Sequence, residues 1–302
     1  MRKKKMMKID VHADDFGESL HASEDILDCI RAGKLNSISI LSNMSCFEDC
    51  VRKYREQEPS FPQKPLLSVH INIMEGSCLS KAEELPDLVD KGGHFWVSWE
   101  KLFLQSFLPG SEKIQKQLKK EIKAQVAAVM EAFPECWPLR LDSHQHTHMI
   151  PVVARALFEV IQEEGWEVSY IRNAKEPLLP FLQEFSLYRT YRPVNLVKNL
   201  ILNFCSFLLE GRLARAGAEP MYLWGLVMSG CMDTKRVEKL MPRFVGRAQK
   251  KGRTLEVLFH PGHVLQEEIT PEFSQEDAIA FHVSQNRCIE KKAVFEIGAG
   301  NA

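Results

Sequence analysis

The residues best suited to chemistry fall in four short clusters. The first is Ala13-Asp14-Asp15-Phe16-Gly17, an adjacent carboxylate pair. Two such carboxylates can divide labour, one binding a metal ion while the other stays free to take a proton. Taken alone, the pair reads better as a cap on the following segment, since Asp is a favoured helix N-cap. The second cluster is Asp142-Ser-His-Gln-His-Thr-His148, with imidazoles at every second position. On an extended chain those rings share one face, and neutral imidazole is the commonest ligand for zinc and related ions. A ligating ring needs a partner that fixes its orientation, and Asp142 lies two residues from His144 on that face. The third cluster is His70 with Asn72, and the fourth is His260-Pro261-Gly262-His263, where Pro-Gly turns the chain behind an imidazole. Taken singly, His70 reads as an ordinary core histidine, and His260 reads equally as a rim imidazole or as an incidental turn residue.

These clusters end segments patterned as strands. Strand-like stretches are expected at 9–13, 37–41, 66–72, 139–143, 168–172, 221–228, 254–260 and 294–297. Helices are expected at 19–31, 46–56, 112–133, 151–163, 234–249 and 274–289, with 178–218 largely helical. The 112–133 helix carries Ile114, Leu118, Ile122, Val126, Val129 and Phe133 as an apolar stripe. Residues 74–110 show no clear period and read as a long loop with short helices. Strands alternating with helices imply parallel pairing through crossovers.

Strand parity separates a barrel from an open sheet. Asp10, His12 and Asp14 share one face of the first strand, opposite Ile9, Val11 and Ala13. Ser68, His70 and Asn72 share a face, as do Arg140, Asp142 and His144, and Glu256 and His260. A strand covered by helices on both faces should be nearly all apolar. A barrel explains the pattern: apolar faces meet outer helices, and polar faces converge inside. Buried ionisable groups are costly unless paired or bound to metal, so four strands sharing that cost argue for a site. All four clusters then lie at C-terminal strand ends, where α/β barrels place their sites. No Gly-rich phosphate loop, Gly-x-Ser-x-Gly elbow or Cys-centred dyad competes.

Composition bounds the rest. A chain of 302 residues with 45% hydrophobic and 26% charged residues is expected to be globular, here as one domain over 1–302. A formal net charge of -1 gives no field for nucleic acid or an acidic membrane. The opening Met1-Arg-Lys-Lys-Lys run leads into a strand rather than a signal-peptide core and reads as a solvated start. The apolar-rich stretch 194–209 is too short and too polar to span a membrane, which takes about 20 apolar residues. Its Leu196, Leu200, Phe204, Phe207 and Leu208 form a wide apolar face that reads as core, dimer contact or lid. The eight cysteines are scattered without a Cys-x-x-Cys pair, which predicts reduced thiols and a cytoplasmic setting.

The four blocks Ala13-Asp-Asp-Phe-Gly17, Ser68-Val-His-Ile-Asn72, Leu141-Asp-Ser-His-Gln-His-Thr-His148 and Glu256-Val-Leu-Phe-His-Pro-Gly262 together resemble the signature blocks of the YdjC-like carbohydrate deacetylases. That family includes chitooligosaccharide deacetylases. The blocks stand in the family order and span residues 9 to 263. The resemblance implies an α/β fold, a distorted TIM-like barrel of seven or eight mostly parallel strands, often a homodimer. It implies a divalent metal ion (Mg or Zn) and removal of N-acetyl groups from an N-acetylated sugar. By that likeness the metal ligands are Asp15, His70 and His144, the general base is Asp14 and the general acid is His260. Arg172 takes a substrate-contacting position, with His146 and Asn72 as further substrate contacts. The chain departs from the family pattern at His12, where Asn is usual, and at His263 behind the turn.

The mechanism these roles imply is attack of water on the acetamide. Asp14 takes the proton, and protonated His260 hands one to the departing amine, because an amide anion is too poor a leaving group. Trp96, Trp99 and Phe103 read equally as sugar-stacking or as packing residues. A metal-dependent phosphoesterase and a non-catalytic carbohydrate-binding protein are the competing readings. The first suffers because its familiar His-x-His belongs at a first strand; the second, because the acid, base and metal set is intact.

Overall fold

The computed structural model describes residues 8–216 and 218–297; the expected solvated start at 1–7 lies outside them. Among the described residues seven strands form one parallel sheet: β1 (Ile9–Phe16), β2 (Ser37–Ile40), β3 (Leu66–Ile71), β4 (Leu139–Ser143), β5 (Val168–Ile171), β6 (Met221–Trp224) and β7 (Thr254–Phe259). Their order is β5-β4-β3-β2-β1-β7-β6. Read around a circle this is simply one to seven, the order of a barrel opened between β5 and β6. The Leu223 N–H donates to Lys175 O at 3.1 Å across that opening.

Among the described residues ten α-helices accompany the strands: α1 (Leu20–Arg31), α2 (Phe47–Gln57), α3 (Trp99–Gln105), α4 (Ser111–Ala132), α5 (Pro151–Glu163), α6 (Leu179–Leu182), α7 (Pro193–Arg215), α8 (Thr234–Lys251), α9 (Glu276–His282) and α10 (Gln285–Glu296). Local chemistry sets their ends. Ser19, Ser98, Asp233 and Ser284 accept backbone N–H bonds as N-caps, and Gly252 closes α8 in the left-handed conformation. None of the described helices is long and apolar enough to cross a membrane.

The eighth expected strand, 294–297, does not exist: Val294 belongs to α10. Arg287, Glu290, Ala293 and Val294 are its buried residues, a spacing of three and four that lays one helical face on the barrel. A short apolar run by itself does not distinguish strand from buried helix. Likewise β6 stops at Trp224, and the region expected as helix over 274–289 is two helices broken at Val283 and Ser284.

The core divides by polarity. Leu118, Ile122, Val126, Val153, Leu157, Leu240 and Phe244 from the helices pack around the sheet's apolar outer face. Inside, polar groups form a connected network. Ser37 donates to Asp10 at 2.5 Å, and His12 bonds Ser37 and Ser39 at 2.6 and 2.7 Å. Ser39 donates to Asp142 at 2.5 Å. Arg140 reaches Asp10 at 3.3 Å and Ser68 at 3.2 Å, lying over the Tyr170 ring. Tyr170 donates to Glu256. Parity identified four polar strand faces; β2 and β5 add theirs, so six strands feed the interior. His12 is wholly buried and tied to both serines of β2, which accounts for its place in this interior.

On α7 the buried residues are Asn199, Leu202, Cys205, Ser206, Leu209 and Leu213. Leu200, Phe204, Phe207 and Leu208 instead face outward. The core reading therefore fails for those four, while Leu196 does pack against the core.

Candidate metal centre

Strand β1 continues past its expected end, and its register against β2 shifts between Ala13 and Phe16. Asp15 within that shift has φ 71, the left-handed region that favours Gly, Asn and Asp. Adjacent strand residues point to opposite faces, but a bulge re-aims one of them. Here it turns both Asp14 and Asp15 towards the same rim. The next residues hold the bulge: a Cβ on Gly17 would lie 2.4 Å from Leu41 O. The helix-cap reading of the Asp pair is excluded, because Ser19 caps α1.

Asp15, His70 and His144 converge, each buried and each offering a ligand atom within 4.8 Å of the others. Asp15 Oδ1 lies 3.0 Å from His144 Nδ1 and 3.5 Å from His70 Nε2. The other Asp15 oxygen accepts from Arg287 at 2.8 Å. His70 Nδ1 bonds Asp142 at 2.6 Å, which aims Nε2 into the site. The partner expected for His144 thus serves His70 instead. His144 Nε2 faces Glu75 at 3.3 Å. Nε2 of both His70 and His144 is buried without a hydrogen-bond partner.

Electrostatics point the same way. Burial alone would lower His70, but Asp14 and Asp142 outweigh it and push the imidazole up to about 9. His144 is raised against its burial by Asp15 and Glu75. The surrounding carboxylates thus favour positive charge at both rings. Buried donor atoms in an environment that demands positive charge fit a divalent cation.

Asp14 is held separately. Arg172 grips both of its oxygens at 2.8 Å, and His12 Nε2 lies 3.1 Å away. Burial would raise this carboxyl, yet Arg172, His70 and His12 hold it well below the usual carboxylate range. Arg172 also pairs with Asp142 at 3.1 Å and Glu256 at 2.7 Å, and is wholly buried. The expected substrate contact is therefore a clamp on Asp14 in this structure. Asn72 is buried too; its Oδ1 accepts the Met74 and Glu75 N–H groups and shapes the turn that delivers Glu75.

The three histidines of 144–148 do not share a face. They fold into 3₁₀ turns over His144–Met149 with left-handed Gln145 and His146. His146 ends half-buried at the rim with an unpaired Nδ1, pushed well below its usual range by desolvation and then by Arg172. His148 turns inward: Nδ1 meets the Ser143 hydroxyl at 2.6 Å and Nε2–H donates to Arg172 O at 2.8 Å. Burial pushes it down to about 4 from an ordinary 6.5. The unfolded chain therefore takes a proton here in a pH range where the folded chain does not. Stability from this group is complete above about pH 6.5 and falls as pH drops towards 4. In urea titrations, His148→Gln is expected to shrink the loss between pH 6.5 and 4 by up to about 3 kcal/mol. An unchanged pH dependence would refute the assignment.

His260 stands beside Asp14, since Ala13 pairs with Phe259 in the β1–β7 register. Its backbone N–H donates to Glu290 at 2.7 Å, its ring packs edge-on to Phe281, and its buried Nδ1 has no hydrogen-bond partner. A Cβ on Gly262 would sit 2.2 Å from Ala22 O, so glycine lets this turn lie directly on α1.

Sequence reasoning missed a second ring of residues. His282 bridges Glu18 at 2.7 Å and Glu75 at 2.8 Å, and Arg287 holds Glu18 at 2.6 Å. Glu75, His144 and His282 could themselves cluster on an ion. Both ring nitrogens of His282 are taken up by those carboxylates, whereas Nε2 of His70 and of His144 has no hydrogen-bond partner. This leaves Asp15, His70 and His144 as the better donor set. The one signal in the sequence was charge at helical spacing, Arg287 and Glu290, on a face that also carries Ala293 and Val294.

A carbohydrate deacetylase of Danio rerio is 28% identical over 180 residues, covering 58% of this chain and 52% of that protein. One from Geobacillus stearothermophilus is 24% identical over 249 residues, covering 80% of this chain and 93% of its own. The chain thus spans about half the length of the first relative and nearly all of the second. A solved Enterococcus faecalis V583 structure, described as a candidate for cellobiose-phosphate cleavage, has a TM-score of 0.65 at 18% identity. It covers 96% of this chain and 94% of its own, a likeness of fold. The YdjC-like protein pattern matches residues 8–295, and the chain belongs to that family.

Proposed function

We propose that this chain is a metal-dependent hydrolase that removes N-acetyl groups from amino sugars or their oligosaccharides. The observation that carries the reading is the convergence of Asp15, His70 and His144, with two unpartnered imidazole nitrogens, beside the clamped Asp14. Relatives named carbohydrate deacetylase supply the substrate class. A divalent ion held by those three side chains supplies Lewis acidity towards the amide carbonyl and lowers the pKa of water. One carboxylate with two imidazoles suits zinc, manganese, or magnesium completed by waters.

The chain's own groups do the rest. Arg172 keeps Asp14 ionised and aimed, so that it takes the proton from the attacking water. His260, on the neighbouring strand end, delivers a proton to the leaving nitrogen. His146, half-open at the rim, contacts the sugar. Trp96 is 53% exposed and free to stack, with Lys101 over its ring, whereas Trp99 and Phe103 stack on one another and pack against the core. The outward apolar face of α7 fits a homodimer contact. Eight unpaired thiols fit a reducing, cytoplasmic compartment.

The test is product release from a panel of N-acetylated sugars, chitooligosaccharides and sugar phosphates with metal supplied. Stoichiometric acetate and free amine, abolished by a chelator and restored by metal, are expected. Phosphate release without acetate, or binding without turnover, would overturn the reading.

A further inference from the structure

Six buried side chains close into a ring that passes through the candidate metal centre. Asp15 Oδ1 lies 3.0 Å from His144 Nδ1, and His144 Nε2 lies 3.3 Å from Glu75 Oε2. The same Glu75 oxygen is 2.8 Å from His282 Nε2, and His282 Nδ1 is 2.7 Å from Glu18 Oε1. Arg287 joins the two ends, donating to Glu18 Oε2 at 2.6 Å and to Asp15 Oδ2 at 2.8 Å. Acidic and basic side chains alternate all the way round, and none of the six is more than 6% exposed.

Two members, Asp15 and His144, belong to the ligand set; the other four hold them. Arg287 takes one Asp15 oxygen, which leaves the other turned towards His70 and His144. Glu75 meets the far nitrogen of His144. Long side chains such as Glu and Arg lose much rotamer freedom when fixed, so each needs an anchor of its own. Glu75 has His282, and Arg287 has Glu18, which His282 also holds. His282 is itself well seated. Phe273 packs edge-on to its ring at 5.6 Å, and its backbone O accepts the Val264 N–H at 2.9 Å. Away from water, such polar contacts strengthen and support one another.

We infer that, given the ligand set Asp15, His70 and His144 proposed above, His282 is a positioning residue for the metal centre: by bridging Glu75 and Glu18 it completes the ring that holds Asp15 and His144 in place for the ion. His70 has its own orienting partner in Asp142 at 2.6 Å. The ring supplies to the other two ligands what Asp142 supplies to the third. His282 ends α9 and Arg287 stands in the first turn of α10, so these helices serve the metal centre without donating a ligand to it.

Manganese(II) alone, titrated calorimetrically into the full chain, tests this without any substrate. Loss of a ligand's orienting partner costs about 10–100-fold in affinity. His282→Gln cannot meet both carboxylates, so it should weaken binding by that factor in a chain whose near-ultraviolet circular dichroism matches the wild type. Glu18→Gln, nearly the same shape, should do likewise because it opens the ring at the next link. It carries the test if His282→Gln fails to fold, since Arg287 there keeps Asp15. The double variant should lose little more than either single one, because residues acting through one network are not additive. A merely structural role would lower Tm and leave the affinity of the folded chain unchanged. A loss smaller than about tenfold in the folded variants, or losses that multiply in the double variant, would overturn the proposal and leave the ligand set standing. Complete loss of metal from folded His282→Gln would make His282 a ligand and overturn it as well. No binding by the wild-type chain would instead remove the metal centre itself, and the ring's role with it.

Discussion

Asp14→Asn is expected to lower turnover on an N-acetylated sugar by about 10²–10⁴-fold while leaving metal affinity near that of the wild type. The substitution preserves shape and removes the proton acceptor. Its effect on folding is limited by the clamp itself. Arg172 loses one carboxylate but keeps Asp142 at 3.1 Å and Glu256 at 2.7 Å, so no buried cation is left unpaired. Asp15, His70 and His144 retain their own contacts with Asp142, Arg287 and Glu75. Saturating kinetics together with metal analysis separate the two effects. A kcat within tenfold of the wild type would remove Asp14 from the role of base, and lost metal would make it a ligand instead.

Asp15→Asn should give the complementary result: metal affinity falls at least about 100-fold and turnover at stoichiometric metal falls with it. Asn tolerates the left-handed backbone at φ 71, so the change isolates the charge from backbone strain. Burial would raise the Asp15 carboxyl, but His144, His70 and Arg287 hold it well below its usual range. It is therefore ionised and ready for a cation at neutral pH. Arg287 keeps Glu18 at 2.6 Å and so stays paired. Calorimetric metal titration against the wild type is the measurement. Affinity within tenfold at this centre would show that Asp15 is not a ligand.

The two carboxylates differ in partners. Asp14 is surrounded by donors that fill both its oxygens, whereas Asp15 gives one oxygen to Arg287 and turns the other towards two imidazoles. The proposed division of labour between the two rests on which strands and helices stand opposite each one. The same logic covers Asp142, which lies next to His144 in spirit of parity but bonds His70 on the neighbouring strand through the β3–β4 register, where His70 pairs with Asp142.

Much of this was legible in the residue order. Alternation of strand and helix, and polar residues gathered on one face of β1, β3, β4 and β7, were enough for a barrel with an ionisable interior. Periodicity is local, and each strand carries its own record of which face is buried. The four clusters named the rim, and their likeness to a known family implied an acid, a base and a ligand set, of which Asp15, His70 and His144 converge.

Other features depended on contacts between distant segments. The bulge that lets Asp14 and Asp15 share a rim arises from pairing with β2, and strict parity would have sent them to opposite faces. The left-handed turns at Gln145 and His146 scatter three histidines that alternation would have aligned. Arg172 became a clamp because Asp14, Asp142 and Glu256 meet it from three other strands. Glu18, Glu75, His282 and Arg287 carry no common spacing, and only the closing of α9 and α10 over the barrel makes them one network. Sequence by itself determined which residues must leave water; the tertiary structure decided which of them would meet, because hydrogen bonds and charge pairs between remote strands have no period along the chain.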